Sequence, residues 1–351
     1  MTPDRLSRRA LVPYSVGAVG PSIVFALQGL FLLYFLTDVA LIPAATVTVA
    51  LALGRIWDIL NDPLVGWVSD RTVSRLGRRR PYMLWGAVPL AVSTYFMFAI
   101  PRGLTGSWAV LVVFGAFFFW DLALTVVHVP FVALGAEMTT VYDGRTRVVA
   151  YGAAGAVLGY LLGGVGTPTL VSFFTSDVAG YRVAGAFCGI IAGATAAGAA
   201  WKVTEVERVP TTLSIRRTAE VILTNRPFRV LVISLALVSF AFTAATAALP
   251  YFVAHQLLAG EQFTGALVFE LLGVVALGIP VWRWISVRTT KHEAYAYGLG
   301  IMSTALAAVL LIPSQGIIAA FVLVAFIGFG NAAHWVLPWS MIPDAVDVSD
   351  A

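Results

Sequence analysis

Charged residues are scarce in this chain, and several patterns that mark other classes of protein are missing from it. Only 11% of the 351 residues are charged, whereas a soluble globular protein has roughly 25%. The single cysteine, Cys188, cannot form an internal disulfide, and no cysteine or histidine spacing typical of a metal site occurs. No phosphate-binding loop or nucleophile motif is visible, which argues against an ATP-driven machine and against an enzyme.

Long apolar stretches account for most of the sequence. Hydrophobic residues make up 59% of the chain, and a helix needs roughly 20 apolar residues in succession to cross a bilayer. We therefore predict an all-α polytopic membrane protein with about ten transmembrane helices. The predicted spans are 11–36, 44–69, 82–101, 107–135, 148–174, 181–203, 228–254, 262–285, 294–312 and 316–342.

The basic residues fall in alternate connections between these spans. Lys and Arg occur in the N-terminal segment and in every second loop, whereas the other loops contain only Arg102 and Arg182. This positive-inside pattern predicts a multi-pass protein of the plasma (inner) membrane with both termini in the cytoplasm. The net charge of +4 therefore follows from topology and does not indicate nucleic acid as a partner.

The longest polar connection divides the chain into two halves that repeat one another. We predict a six-helix half at 1–203, a cytoplasmic loop at 204–227 and a four-helix half at 228–351. Residues 63–71 and 280–288, which end the second and eighth spans, share Pro, Trp, Ser and Arg in register. Internal repeats of this kind are typical of secondary transporters.

Three charged residues lie inside the second predicted span. Arg55, Asp58 and Asp62 are spaced i, i+3 and i+7, so a helix places them on one face. Each charge at this depth costs roughly 2.5–3.5 kcal/mol on insertion scales. The stripe indicates a polar pathway in a transport protein; the alternative is a self-neutralised cluster that fixes helix packing.

The segment that begins in this stripe resembles a known family. Residues 62–82, Asp-Pro-Leu-Val-Gly-Trp-Val-Ser-Asp-Arg-Thr-Val-Ser-Arg-Leu-Gly-Arg-Arg-Arg-Pro-Tyr, are similar to a motif of the glycoside–pentoside–hexuronide:cation symporters, the melibiose permease family. The resemblance implies the fold of the major facilitator superfamily with twelve spans, so the ten predicted here match a member without its last two. Weaker similarities occur at 14–20, 34–38, 125–131, 142–147 and 337–347.

The resemblance implies a cation site on the second and fourth spans. Asp58 and Asp62 match the two carboxylates that bind the coupling cation in the family, and Thr125 matches a hydroxyl that lines the site. His128 stands where the family has an acid. Because imidazole is a poor Na⁺ ligand and carries protons near neutral pH, His128 favours H⁺ as the coupling ion, with Na⁺ as the alternative.

The positions that bind sugar in the family are altered in this chain. Ser22 replaces an acidic residue on the first span, and Gly152 replaces an arginine on the fifth. Other ionisable residues at membrane depth could contact the substrate instead, although each could equally be a packing residue. The candidate substrate-binding residues are Ser22, Asp121, His128, Gly152, Glu270 and His334.

Two further patterns concern conformation and packing. Asp–Arg contacts in the basic loop after the second span would hold the outward-facing state; alternatively, the arginines only fix topology. The small residues Gly155, Gly159 and Gly163 predict close helix packing by the fifth span. The candidate switch residues are Gly66, Asp70, Arg71, Gly77, Arg78 and Arg79.

Together these features predict a secondary active transporter that works by alternating access. We expect cation-coupled symport of a sugar or related small polar solute by a monomer in a lipid bilayer, with H⁺ or Na⁺ as coupling ion and no cofactor. The loss of the sugar-binding residues motivates one alternative, a transporter of a lipid-like or drug-like amphiphile. The other alternative is a non-transporting truncated homologue.

Overall fold

The computed structural model describes residues 8–138, 142–203, 225–260, 262–313 and 316–347. Within these ranges the regular secondary structure is entirely helical. The chain forms two compact units, Met1–Arg208 and Val209–Ala351. The predicted central loop, 204–227, lies outside the described residues except for its last three positions, so its boundaries stay a prediction.

The described part of the first unit consists of six long helices and two short ones. The short helix α2 is flanked by two π-helical turns, and together with α1 they form one apolar segment, Ala10–Val39. The elements are α1 (Arg8–Ala26), α2 (Leu32–Tyr34), α3 (Ala44–Arg71), α4 (Arg80–Met97), α5 (Gly106–Glu137), α6 (Tyr142–Gly164), α7 (Gly166–Val171) and α8 (Asp177–Lys202).

The described part of the second unit contains four long helices. Helices α10 and α11 both pack against α12, and α9 contacts α12 as well. Thr290 caps α11 in a reciprocal arrangement with Glu293, each side chain binding the other residue's backbone N–H. The four are α9 (Arg226–Tyr251), α10 (Gln262–Arg288), α11 (Lys291–Ala308) and α12 (Ile317–Asp347).

Nine helical segments in the described residues are long and apolar enough to cross a bilayer, and each coincides with a predicted span. The remaining prediction, 82–101, corresponds to α4, which has only 18 residues. Helix α4 begins with Arg80 and contains Pro81 and Pro89, which lower its apolar content. The predicted all-α, multi-pass architecture is therefore confirmed.

The predicted glycine seam on the fifth span is present in α6, which packs along α1. A Cβ at Gly155, Gly159 or Gly163 would meet backbone carbonyl oxygens of α1, beginning with that of Ser15. The glycines therefore let the two backbones approach more closely than any side chain would allow.

Helix α5 is held against its neighbours in a similar way. A Cβ at Gly54 of α3 would overlap the ring of Phe117, so this glycine sets the spacing between α3 and α5. The indole Nε1 of the fully buried Trp120 donates to Thr94 Oγ1 of α4 over 2.9 Å. These contacts fix the rotation and height of α5 beside the charged stripe of α3.

The seam between α1 and α6 can be tested with one methyl group. Alanine is the better helix former by about 1 kcal/mol, so Gly→Ala at an open helical position should be neutral or stabilising. At Gly155 the added Cβ would press on a backbone oxygen that cannot rotate away, and we expect a loss of about 1–3 kcal/mol. Thermal unfolding of purified Gly155→Ala should therefore begin several degrees below the parent. Gly198, where a Cβ has open space, is the matched control; equal melting temperatures for both variants would contradict the seam.

Candidate functional site

Two hydrogen bonds join α3 and α5 inside the membrane-spanning part of the first unit. The Thr125 hydroxyl donates to Asp62 Oδ1 over 3.0 Å. The Asn61 side-chain amide donates from Nδ2 to Asp121 Oδ2 over 3.5 Å. Asp121 and Thr125 are four residues apart, so the bonds lie about one helical turn from each other. We call these four residues and Asp58 the α3–α5 cluster.

The cluster is buried on one side and accessible on the other. Asn61 is fully buried, and Asp121 and Thr125 are only 3% and 4% exposed. Asp62 is exposed, and the side chain of Asp58 is one-third exposed. A small ion can therefore reach carboxylate oxygens from the open side without passing through the helix packing.

The cluster carries an excess of negative charge. Asp58 and Asp62 both lie within electrostatic range of Asp121. The nearby cation is Arg55, whose Nη1 lies 3.7 Å from Asp58 Oδ2 and whose guanidinium sits over the Phe117 ring. Three carboxylates and one guanidinium leave a net charge of −2 when all are ionised, and this attracts a cation in a medium of low dielectric constant.

Asn61 contributes a second feature that suits a cation. Its Oδ1 is buried and has no hydrogen-bond partner among the described residues, which costs about 1–3 kcal/mol if nothing occupies it. A carboxylate can only accept hydrogen bonds, so Asp121 holds the amide nitrogen and leaves the oxygen free. Asn61 is not among the site residues predicted from the sequence, although its position three residues after Asp58 was an available signal.

His128 lies beyond Thr125 along α5 and is packed against α1. Its ring meets that of Phe25 edge-on, with centroids 4.9 Å apart. The side chain is half-buried and lies within electrostatic range of Asp62. His128 therefore adjoins the cluster while also serving as a packing residue between α1 and α5.

The two positions that the resemblance aligns with sugar-binding residues, Ser22 and Gly152, lie in the packing between α1 and α6. Ser22 is only 6% exposed, and its Cβ lies where a side chain at Gly159 would have to fit. Gly152 lies against the ring of Tyr14, which itself stacks on Phe131. At both positions the close packing of α1 and α6 explains why the residue is small.

The candidates in the second unit have different surroundings. Glu270 of α10 is half-buried, and its Oε2 has no hydrogen-bond partner among the described residues. His334 Nδ1 of α12 lies 3.1 Å from the hydroxyl of Tyr295 of α11, and the two rings are nearly parallel. His334 thus links two helices, whereas Glu270 keeps one carboxylate oxygen available.

The basic loop after α3 forms an ionic network with α5. Arg79 pairs with Asp70 and with Glu137, whose Oε1 also accepts from Arg78 over 2.8 Å. Arg79 additionally donates to Ser69 Oγ over 2.8 Å. The sequence predicted the Asp–Arg contact but missed Glu137, which anchors both arginines to the end of α5.

The other predicted switch residues shape this loop or lie outside the network. Gly77 has φ +99°, a backbone conformation that favours glycine. Gly66 faces Val129 of α5 at ordinary contact distance. Arg71 stacks on Trp67 instead of joining the ionic network.

Known proteins resemble this chain along nearly its whole length. The family model described as MFS/sugar transport protein matches residues 13–351. An uncharacterized symporter of Synechocystis sp. is 27% identical, and the match covers 100% of this chain and 80% of that protein. The sodium-dependent lysophosphatidylcholine symporter 1 of Xenopus tropicalis is 26% identical, with 98% of this chain and 72% of that protein covered.

A solved structure has the same fold. A bacterial homologue of the human lysosomal transporter Spinster, in an inward-facing and occupied conformation, matches with a TM-score of 0.67 at 11% identity. The match covers 97% of this chain and 76% of that one. At this level of identity the likeness concerns the fold.

The Asn61–Asp121 hydrogen bond can be tested by a double-mutant cycle. In Asp121→Ala the amide of Asn61 loses its acceptor, so its oxygen is no longer held in one orientation. A hydrogen bond to a charged group contributes about 1.5–3 kcal/mol, and we expect the cation concentration for half-maximal uptake to rise about tenfold or more. Asn61→Ala should also raise this concentration, and the double variant should show less than the product of the two single effects, because both variants remove the same hydrogen bond.

The control for this cycle is Asp177→Asn, which removes an exposed carboxylate at the start of α8 and should behave like the parent. If the effects of the two alanine substitutions multiply in the double variant, Asn61 and Asp121 act independently and the positioning role is wrong.

Proposed function

The chain belongs to the MFS/sugar transport protein family, and from this premise we propose that it carries a sugar or related small polar solute across the membrane together with Na⁺. It is a multi-pass membrane transporter of the major facilitator superfamily and not an enzyme. The observation that carries the proposal is the α3–α5 cluster, in which oxygen groups and uncompensated negative charge are gathered inside two membrane-spanning helices.

The ligand set is the reason for choosing Na⁺. The sequence favoured H⁺ because His128 offers nitrogen where the family has an acidic oxygen. The carboxylate of Asp121 and the Asn61 oxygen that has no partner among the described residues are further oxygen groups close to Asp58, and they support a site for a hard cation. Hard cations such as Na⁺ prefer carboxylate and carbonyl oxygens. The sodium dependence in the name of the Xenopus tropicalis relative also supports this choice.

Coupling then follows from charge balance. Without the cation, the carboxylates of Asp58 and Asp62 repel each other, and Arg55 partly neutralises Asp58. When Na⁺ binds, the repulsion falls and the Asp62 carboxylate can be drawn towards the bound ion while Thr125 keeps it oriented. We propose that this compaction of α3 against α5 favours substrate binding and alternating access, and that the Asp70–Arg79–Glu137 network is broken and re-formed in each cycle.

Topology and assembly complete the proposal. The alternation of basic loops supports a plasma (inner) membrane location with both termini in the cytoplasm. The α3–α5 cluster is contained within one unit of one chain, which supports function as a monomer.

A lipid-like amphiphile is the second candidate substrate. Ser22 and Gly152, which stand at the family's sugar-binding positions, are taken up by packing between α1 and α6. One relative is named as a sodium-dependent lysophosphatidylcholine symporter. Both observations favour a substrate with a long apolar portion over an ordinary galactoside.

Ligand-induced stabilisation distinguishes these substrates. A ligand that binds only the folded protein raises its stability by RT ln(1 + [L]/Kd), or about 2.7 kcal/mol at 100 times Kd. We expect at least one member of a panel of mono- and disaccharides to raise the melting temperature of the purified protein in the presence of Na⁺. If only lysophosphatidylcholine raises the melting temperature, the proposed substrate is the amphiphile and not a sugar. Stabilisation by neither class would contradict both substrates.

Coupling is tested in proteoliposomes with the stabilising solute. An imposed inward Na⁺ gradient at equal pH should drive accumulation by the parent, whereas Asp58→Asn and Asp62→Asn should accumulate nothing. Exchange of preloaded solute should survive in both variants, because it needs no net ion movement. Accumulation driven by a pH gradient without Na⁺, and abolished in His128→Ala, would show that H⁺ is the coupling ion.

A further inference from the structure

An arginine stacks on an exposed tryptophan at the C-terminal end of α3 and again at that of α10. The guanidinium carbon of Arg71 lies 4.2 Å from the ring centre of Trp67. That of Arg288 lies 3.6 Å from the ring centre of Trp284. The two tryptophans are 56% and 55% exposed. The stacks therefore present flat, half-apolar and half-cationic surfaces that the transport mechanism does not use.

The two stacks occupy equivalent positions in the internal repeat. In both segments, 63–71 and 280–288, the tryptophan precedes the arginine by four residues, which is one helical turn. The neighbouring residues differ between the units, since Asp70 has Val287 as its counterpart. The same stack thus forms in two different surroundings, which indicates that the Trp–Arg pair itself determines the geometry.

The chemistry of the stack suits a phosphate group. A guanidinium lying on an indole keeps its N–H groups at the edge, where they can form paired hydrogen bonds to a phosphate. Arg71 uses one N–H for the Trp67 carbonyl oxygen at 3.3 Å, and a guanidinium has five in all. Tryptophan rings are favoured at the depth of lipid headgroups, where they place the arginine at the level of the phosphates.

The charge around each stack favours an anionic partner. Near Arg71, the exposed Arg75 adds positive charge, while Asp70 is paired with Arg79. Along the chain near Arg288, the exposed Arg283 and the partly buried Lys291 are positive, and the Glu293 carboxylate accepts from the Thr290 backbone N–H. The loop charges predict a cytoplasmic location for both helix ends, where anionic lipids give the membrane surface its negative potential.

We propose that each Trp–Arg stack, Trp67–Arg71 and Trp284–Arg288, is a binding site for the phosphate of an anionic phospholipid. The indole lies among the upper acyl carbons, and the guanidinium edge holds the phosphate. Each site anchors the end of a helix at the membrane surface and makes the stability of the protein depend on lipid charge.

The test is the melting temperature of the purified full chain in detergent with added phosphatidylglycerol, phosphatidylcholine or inorganic phosphate. Phosphatidylglycerol should raise the melting temperature of the parent by several degrees, and the other two should not. The double variant Arg71→Gln/Arg288→Gln should lose most of this shift. Arg75→Gln/Arg283→Gln, which removes two exposed arginines that add charge but do not stack on tryptophan, is the matched control and should keep most of the shift.

Arg71→Lys/Arg288→Lys separates the stack from simple charge. Lysine keeps the charge but neither lies flat on the indole nor offers paired donors, so the phosphatidylglycerol shift should fall by more than half. If the glutamine variant does not fold, the lysine double variant provides the test instead. The proposal would be overturned if the lysine variant kept the full phosphatidylglycerol shift, or if the control variant lost as much of it as the glutamine variant. Either result would show that the lipid responds to positive charge in general and not to the stacks. Equal stabilisation by inorganic phosphate or phosphatidylcholine would overturn the anionic lipid as occupant.

Discussion

The central constraint in this protein is the presence of three carboxylates within two membrane-spanning helices. Isolated charges at such depth are costly, and the structure reduces the cost with bonds that cross from α3 to α5. Thr125 holds Asp62, and Asn61 holds Asp121. One guanidinium compensates only part of the negative charge, and we propose that a bound cation completes the cluster. In this account, an incomplete charge balance in the ion-free protein is what couples ion binding to movement.

Close helix packing makes this arrangement possible. Gly54 brings α3 against Phe117 of α5, and the glycines of α6 bring it against the backbone of α1. Small residues at these contacts leave little freedom to slide, so polar side chains on facing helices meet in a fixed register. The same packing occupies Ser22 and Gly152, and it therefore bears on the substrate as well as on stability.

The sequence predicted the helical architecture well, because apolar stretches of sufficient length have few alternatives in a membrane. It also placed Asp58 and Asp62 on one helix and identified Gly155, Gly159 and Gly163 as a packing seam. It did not reveal which residues meet across helices. The Asn61–Asp121 bond, the anchoring of Arg78 and Arg79 by Glu137, and the packing of His128 on Phe25 all depend on register between separate segments. Spacing within one helix cannot supply that register.

The most direct test of the α3–α5 cluster is equilibrium binding of radioactive Na⁺ to the purified protein in the absence of any transported solute. The account predicts saturable Na⁺ binding by the parent that disappears in the double variant Asp62→Asn/Asn61→Ala and persists in His128→Ala. No specific Na⁺ binding by the folded parent, or binding that the double variant retains in full, would show that the α3–α5 cluster does not hold the coupling ion.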